Sequence, residues 1–479
     1  MKARNDQADP ATPFPMSPVS NGEWIPPEPP ERARIASKLI AEEVEVQAKR
    51  HDMTRGQFLR TAAGTCIAFS VLNRVNGLEA WGANSMLPAK KVHCEDLDAG
   101  RELLDKNEFF ILDVQTHHAD IESLPAEAIC FLRFSDPAGC LEDPSLLGQL
   151  NYIKEVFVDS ETDVAVISGA PGVIQGPQLM AETRDLVNEL ACSERCLSQA
   201  IVNPVQQSIF PVSNAQALDQ LEFQVNELGA KALKTYTYNG NWRLDDEAVA
   251  YPMLEEAQRL GLKLINTHKG LPAIFSPGSE EAVRTLDYPK VLADFPKLKF
   301  CAYHSGYFQS GQHPEGKDGI SEFIEMAEGL PKKHRKRLYA EMGSTFATTL
   351  LGPDMEVAHY LGQLLRTLGS KNILWGTDSI WWGSPQFAID AFKNLQIPES
   401  LQEQHGYPAL TTKAKKRIFG KNAAKLYKVK KRRKRCTIPD DTFADAQLAQ
   451  GGPREGRSLK VYGARSRREF LEIFGWGYS

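Results

Sequence analysis

Seven residues offer chemistry in this sequence: Gln115, His117, Lys234, His268, His304, Glu341 and Asp378. Imidazole and carboxylate are the ligands a borderline divalent cation prefers. They are also the usual general acids and bases. From Lys234 to Asp378 the residues follow one another at steps of 34, 36, 37 and 37 positions. A strand, a helix and two loops together need about thirty or more residues. The spacing therefore predicts one functional side chain per strand–helix unit. His117, His268 and Asp378 supply two nitrogens and one oxygen, which leaves a metal position open for water. Such a water loses its proton near neutral pH. Asp378 then binds the metal, takes the proton, or does both, and His304 polarises a carbonyl or carries a proton.

The elements that must position these residues are short apolar runs. They are FFILDV (Phe109–Val114), VAVISG (Val164–Gly169), AIVNPV (Ala200–Val205), KALKTYT (Lys231–Thr237), LKLINTH (Leu262–His268), LKFCAYH (Leu298–His304), RLYAEM (Arg337–Met342) and NILWGTD (Asn372–Asp378). Near-continuous apolar runs suit strands buried on both faces of a parallel sheet. Helical patterns lie between them, such as DDEAVAYPMLEEAQRLG ending on Gly261 and KAKKRIFGKNAAKLYKV after the last strand. The first step, Asp113 to Val166, is 53 residues and predicts an insertion. Eight alternating units predict a (β/α)8 TIM-like barrel, whose active site gathers at the C-terminal strand ends. An open doubly wound sheet is the other arrangement. It would more usually carry a glycine-rich phosphate turn after its first strand, and this sequence has none.

The pieces DVQTHH, INTHKG, FPKLKFCAYHSG, ILWGTDS and RIFGKNAAKLY together resemble the amidohydrolase superfamily, in its amidohydrolase-related branch of hydrolases and non-oxidative decarboxylases. The resemblance runs from about Phe109 to Lys428. It implies a divalent metal, zinc first and manganese or iron as alternatives, with His117, His268, His304 and Asp378 in the family's site positions. Gln115 stands where the family has its first histidine. Its neutral carbonyl is a weaker ligand, and Glu341 is a candidate to make up for it. His118 is a second candidate, although adjacent strand residues point oppositely. Lys234, Trp242 and Trp381 are candidate substrate contacts, with Trp382 beside them in the same loop. The reading is a metal-dependent hydrolase of an amide, ester or lactone. A non-oxidative decarboxylase of a small unsaturated or aromatic acid is the first alternative, and a metal-free binding or scaffold protein the second.

The rest of the chain bounds partners and place. At 479 residues with a net charge of -5, the protein has no basic field to recruit nucleic acid. No run reaches the roughly 18 apolar residues of a membrane span. A small-molecule substrate and a homodimer are the expected partners. Residues 1–108 read as an extension, a proline-rich arm followed by helices from about Ala33–Arg50; residues 109–428 are the barrel; residues 429–479 are a basic linker (VKKRRKR) and tail. MTRGQFLRTAAGTCIAFSVLN resembles a twin-arginine export signal, but Gly56 replaces the second arginine and the segment reads as a buried helix. SRREFLE near the C-terminus reads as an exposed helix start. The eight cysteines, with Cys192 and Cys196 on one helical face, read as reduced thiols in a cytoplasmic protein.

Overall fold

The computed structural model describes residues 30–430 apart from 60, 105–108, 131–136, 171–173, 206–213, 273–277, 351, 353–354 and 382, together with 12, 438 and 443. Most of the proline-rich arm, most of the basic run and the SRREFLE segment lie outside the described residues, as do Trp382 and Cys436.

The strands are β1 (Leu112–Thr116), β2 (Val164–Ile167), β3 (Cys196–Ser198), β4 (Ala200–Ile201), β5 (Leu233–Tyr236), β6 (Leu264–Gly270), β7 (Lys299–Tyr307), β8 (Leu338–Glu341) and β9 (Ile373–Leu374). Every ladder between them is parallel, in the orders β1-β2-β3 and β4 through β9. Only Gln199 separates β3 from β4. Its backbone N–H donates to Ile167 O at 3.0 Å, while Ala200 N–H donates to Ala232 O at 2.8 Å. The two are therefore one strand that pairs with β2 first and β5 second. On the other side, Val114 N–H donates to Trp375 O at 3.0 Å and Asp378 N–H to Gln115 O at 2.9 Å. A parallel bridge joins Thr116 to Ser379. Eight strands thus form a closed (β/α)8 barrel.

Leu112, Val114, Val164, Val166, Cys301, Tyr303 and Leu374 form a buried cluster shared by β1, β2, β7 and β9, which fills the barrel interior; Ala423 and Tyr427 of the final helical segment plug it. Outside, the helices cover the strands, as sheets buried on both faces require. The helices α1 (Glu31–Arg50), α2 (Arg55–Leu59), α3 (Ala62–Val75), α4 (Lys91–Glu95) and α5 (Leu97–Leu104) precede the barrel. They share its main core, into which α3 buries Cys66, Ile67, Phe69 and Val71. From Ala62 onward the twin-arginine-like segment is therefore a buried helix of the folded protein. Among the described residues no helix is long and apolar enough to cross a membrane.

Three expectations are corrected. Cys130 and Cys140 form a disulfide, with Cα atoms 5.4 Å apart, so the thiols are not all reduced. The insertion after β1 folds back on itself there, and nothing in the cysteine spacing marks it. Cys192 and Cys196 do not share a helix: the helix Pro177–Leu190 ends first and Cys196 opens β3. Asn188 enforces this, because its Oδ1 accepts both Arg195 N–H and Cys196 N–H at 2.8 Å. The third strand accordingly starts before Ala200. Among the described residues beyond Lys430, Ile438 and Phe443 share a buried cluster with Tyr152, Phe157 and Ile380.

Candidate active site

β1 turns its side chains at an irregularity. Leu112 and Val114 face the barrel interior, then the register with β2 shifts between Asp113 and Thr116. Gln115 N–H donates to Asp113 Oδ1 at 3.0 Å, and Asp113 also accepts from the backbone N–H and side-chain hydroxyl of Thr377. After this shift Gln115 and His117 point to the strand-end site, while Thr116 Oγ1 meets Tyr152 OH at 2.9 Å. His118 points away, its ring 5.3 Å from that of Tyr152.

Gln115, His117, His304 and Asp378 converge. Asp378 Oδ1 lies 3.0 Å from His117 Nε2 and accepts from Gln115 Nε2 at 2.8 Å. Ser344, in the first turn of the helix Gly343–Leu350, donates to Asp378 Oδ2. Gln115 Nε2 is also 3.4 Å from His304 Nε2 and 3.5 Å from His117 Nε2. All four residues are buried. His304 and Asp378 both adopt left-handed backbone, at φ 63° each. Such conformations are uncommon outside glycine and gather at functional sites.

The carboxyls around this cluster are tuned apart. Burial alone raises Asp378, but the His117 hydrogen bond, the nearby His304 and His117 rings and the Ser344 hydroxyl outweigh it and hold the group well below the usual carboxylate range. Burial pushes Glu341 far up, offset in part by the His304 backbone N–H that its Oε2 accepts at 3.1 Å. Burial likewise pushes Asp113 up to about 7 despite its Thr377 hydrogen bonds. Asp378 is thus the carboxylate that stays ionised, the separation of roles expected of acid–base sites.

Of the remaining predicted residues, His268 and Trp381 border this cluster, while Lys234 and Trp242 pack elsewhere. His268 packs its ring 4.7 Å from that of His304, 5.7 Å from Tyr236 and 4.9 Å from Tyr238. Its Nε2 lies 3.0 and 3.1 Å from the carbonyl oxygens of Gly270 and Leu271. Trp381 stacks on His117, centroids 5.1 Å apart and planes within 10°. Lys234 is buried with Nζ over the rings of Tyr303, at 3.7 Å, and Tyr236, at 4.6 Å. Trp242 packs in the main core with Leu244 and Leu271. Ser344 and Gly343 escaped the sequence reading, although both directly follow a strand end. A Cβ on Gly343 would sit 2.7 Å from His304 Nδ1 and 2.9 Å from Gln115 Oε1.

The sequence model of the amidohydrolase family (Amidohydro_2) matches residues 163–429, more than half of the chain. The chain belongs to the amidohydrolase family. The match takes in His268, His304 and Asp378 and starts after β1, so Gln115 and His117 lie outside it. No curated protein matches the chain in sequence. Among solved structures, this amidohydrolase is similar to an uncharacterized TIM-barrel protein from Bordetella bronchiseptica, at 17% identity and a TM-score of 0.43 over 67% of this chain and 99% of that one. It is similar to 5-carboxyvanillate decarboxylase from Sphingomonas paucimobilis at 15% identity and a TM-score of 0.43, over 67% and 100% of the two chains. A dihydroxybenzoic acid decarboxylase from Polaromonas sp. JS666, with bound manganese, follows at 17% identity and a TM-score of 0.42, over 68% and 98%.

The metal that the family resemblance implies does not fit these side chains as they are arranged. Among the described residues, no three His, Cys, Asp or Glu side chains form a group that could hold a metal ion. A nitrogen facing a carboxylate or a carbonyl must carry hydrogen, because those oxygens only accept. His117 Nε2 faces Asp378, and His268 Nε2 faces two carbonyls. With no cation between the partners both atoms carry the hydrogen, and in this arrangement neither turns a lone pair outward. Glu341 is engaged instead with the backbone, accepting the His304 N–H through Oε2 at 3.1 Å.

Proposed function

We propose that this amidohydrolase is a non-oxidative decarboxylase of a small unsaturated or aromatic acid, working by proton transfer from the His117–Asp378 pair. The observation that carries the reading is the 3.0 Å contact between His117 Nε2 and the ionised, buried Asp378 carboxylate. A carboxylate on one ring nitrogen fixes the tautomer and stabilises the imidazolium, leaving the other nitrogen for acid–base work. That other atom, His117 Nδ1, is buried and has no hydrogen-bond partner among the described residues.

The reaction balances simply. The C–C bond to the carboxylate breaks, carbon dioxide leaves, and its electron pair stays on the substrate carbon. The imidazolium of His117 then delivers a proton from Nδ1 to that carbon, and solvent restores it. No attacking water is needed, which suits a site whose facing nitrogens carry hydrogen. Trp381, stacked on His117, holds the imidazole in place beside Asp378. Lys234 provides positive charge inside the barrel for an acid. Hydrolysis of a lactone or ester would use the same pair as general base on a water.

The test is a panel of hydroxybenzoates, unsaturated dicarboxylic acids and lactones, followed by carbon dioxide release and by heavy-oxygen uptake from water. The expected result is carbon dioxide from one class of acid with no heavy oxygen in the product. Oxygen uptake with no carbon dioxide would return the protein to the hydrolases.

A further inference from the structure

We infer that the side-chain amide of Gln115 takes the place of a divalent cation, so that this site is assembled without a metal. Three atoms point at Gln115 Nε2: Asp378 Oδ1 at 2.8 Å, His304 Nε2 at 3.4 Å and His117 Nε2 at 3.5 Å. An ion serving the same atoms would need contacts of about 2.0–2.2 Å to nitrogen and oxygen, which puts it in the space the amide nitrogen fills. The amide cannot share the task, because an –NH2 group gives hydrogens and has no lone pair for a cation.

The amide orientation follows from its neighbours. Turning it over would aim Oε1 at the ionised Asp378 carboxylate, placing acceptor against acceptor. In the orientation observed, one hydrogen is donated to Asp378 and the other faces His304 Nε2. Gln115 Oε1 is then left buried without a hydrogen-bond partner among the described residues. Gly343 makes room for it, since a Cβ there would stand 2.9 Å from Oε1. The arrangement gives Asp378 and His304 one shared donor. Oδ1 of Asp378 accepts from that donor and from His117, while Ser344 occupies Oδ2. These three donors stabilise the charge of the carboxylate without cancelling it.

The inference shares the Asp378–His117 pair with the proposed function but not its chemistry, and its test uses no activity. Full-length protein is purified without chelator from cells supplied with zinc, manganese and iron, and its metal content is measured. Melting temperatures are recorded with excess manganese, with excess zinc and with chelator. The expected content is below about a tenth of an equivalent of any of these metals, with no shift from metal or chelator, since resident metal is lost to chelators and its binding energy is folding energy. Close to one equivalent in the wild-type protein, lost in a folded Asp378→Asn or His117→Ala variant, would overturn the inference. Either variant keeping its circular dichroism makes that comparison valid.

Discussion

Gln115 Nε2 donates to Asp378 Oδ1 across 2.8 Å, joining the first strand of the barrel to the last at its active-site end. The same carboxylate oxygen faces His117 Nε2 at 3.0 Å. These two contacts fix which atoms in the site carry hydrogen and which accept it.

Asp378→Asn removes the charge that supports a positive His117 while keeping the side chain's size. We expect kcat/KM to fall about a thousandfold with the fold intact, the scale of a lost general acid–base contribution. Steady-state kinetics alongside circular dichroism check this. A loss smaller than tenfold would mean that His117 works without Asp378.

Gly343→Ala tests how tightly the site is packed. The backbone is left-handed there, at φ 44°, and the added methyl would press on His304, Gln115 and Glu341. Strain of about 1–3 kcal/mol is expected. A lower melting temperature together with lost activity is the predicted outcome, read by calorimetry and kinetics on one preparation.

Much of this was legible in the sequence. The regular spacing gave the barrel, and strand ends gave Gln115, His117, His304 and Asp378, which the structure brings together. Direction was not legible. Whether His268 Nε2 meets an ion or the carbonyls of Gly270 and Leu271 depends on a turn after β6 that periodicity does not describe. Ser344 was missed because it belongs to the helix after β8 rather than to the strand. The Cys130–Cys140 bond was missed because pairing within an insertion depends on tertiary folding.

Cys130 and Cys140 share a buried cluster with Ala119, Leu147 and Trp381. The disulfide therefore braces the packing behind the tryptophan that stacks on His117. Replacing both cysteines by serine should cost about 2–4 kcal/mol of stability and raise KM more than it lowers kcat. Denaturant melts and kinetics of the double variant check both effects. A raised KM matched by Trp381→Ala would place the two on one path.

Glu322 gives a pH signature away from the site. Burial raises its pKa, but Thr285 N–H at 2.9 Å and Arg284 Nε at 2.6 Å, with His313, outweigh that and lower it. A lowered folded pKa means stability present above the unfolded value, near 4.5, and lost as pH falls through the folded one. Melting temperature should thus drop on acidification below about pH 4.5, and Glu322→Gln should flatten that drop while lowering stability at neutral pH.

In the proposed reaction His117 and Asp378 deliver a proton to the carbon that carbon dioxide leaves. Turnover of an accepted acid in heavy water, analysed by mass spectrometry and NMR, tests it most directly. One deuterium is expected at the vacated carbon for each carbon dioxide released, with both lost in His117→Ala. Product formed with oxygen from water and no deuterium on carbon would contradict it.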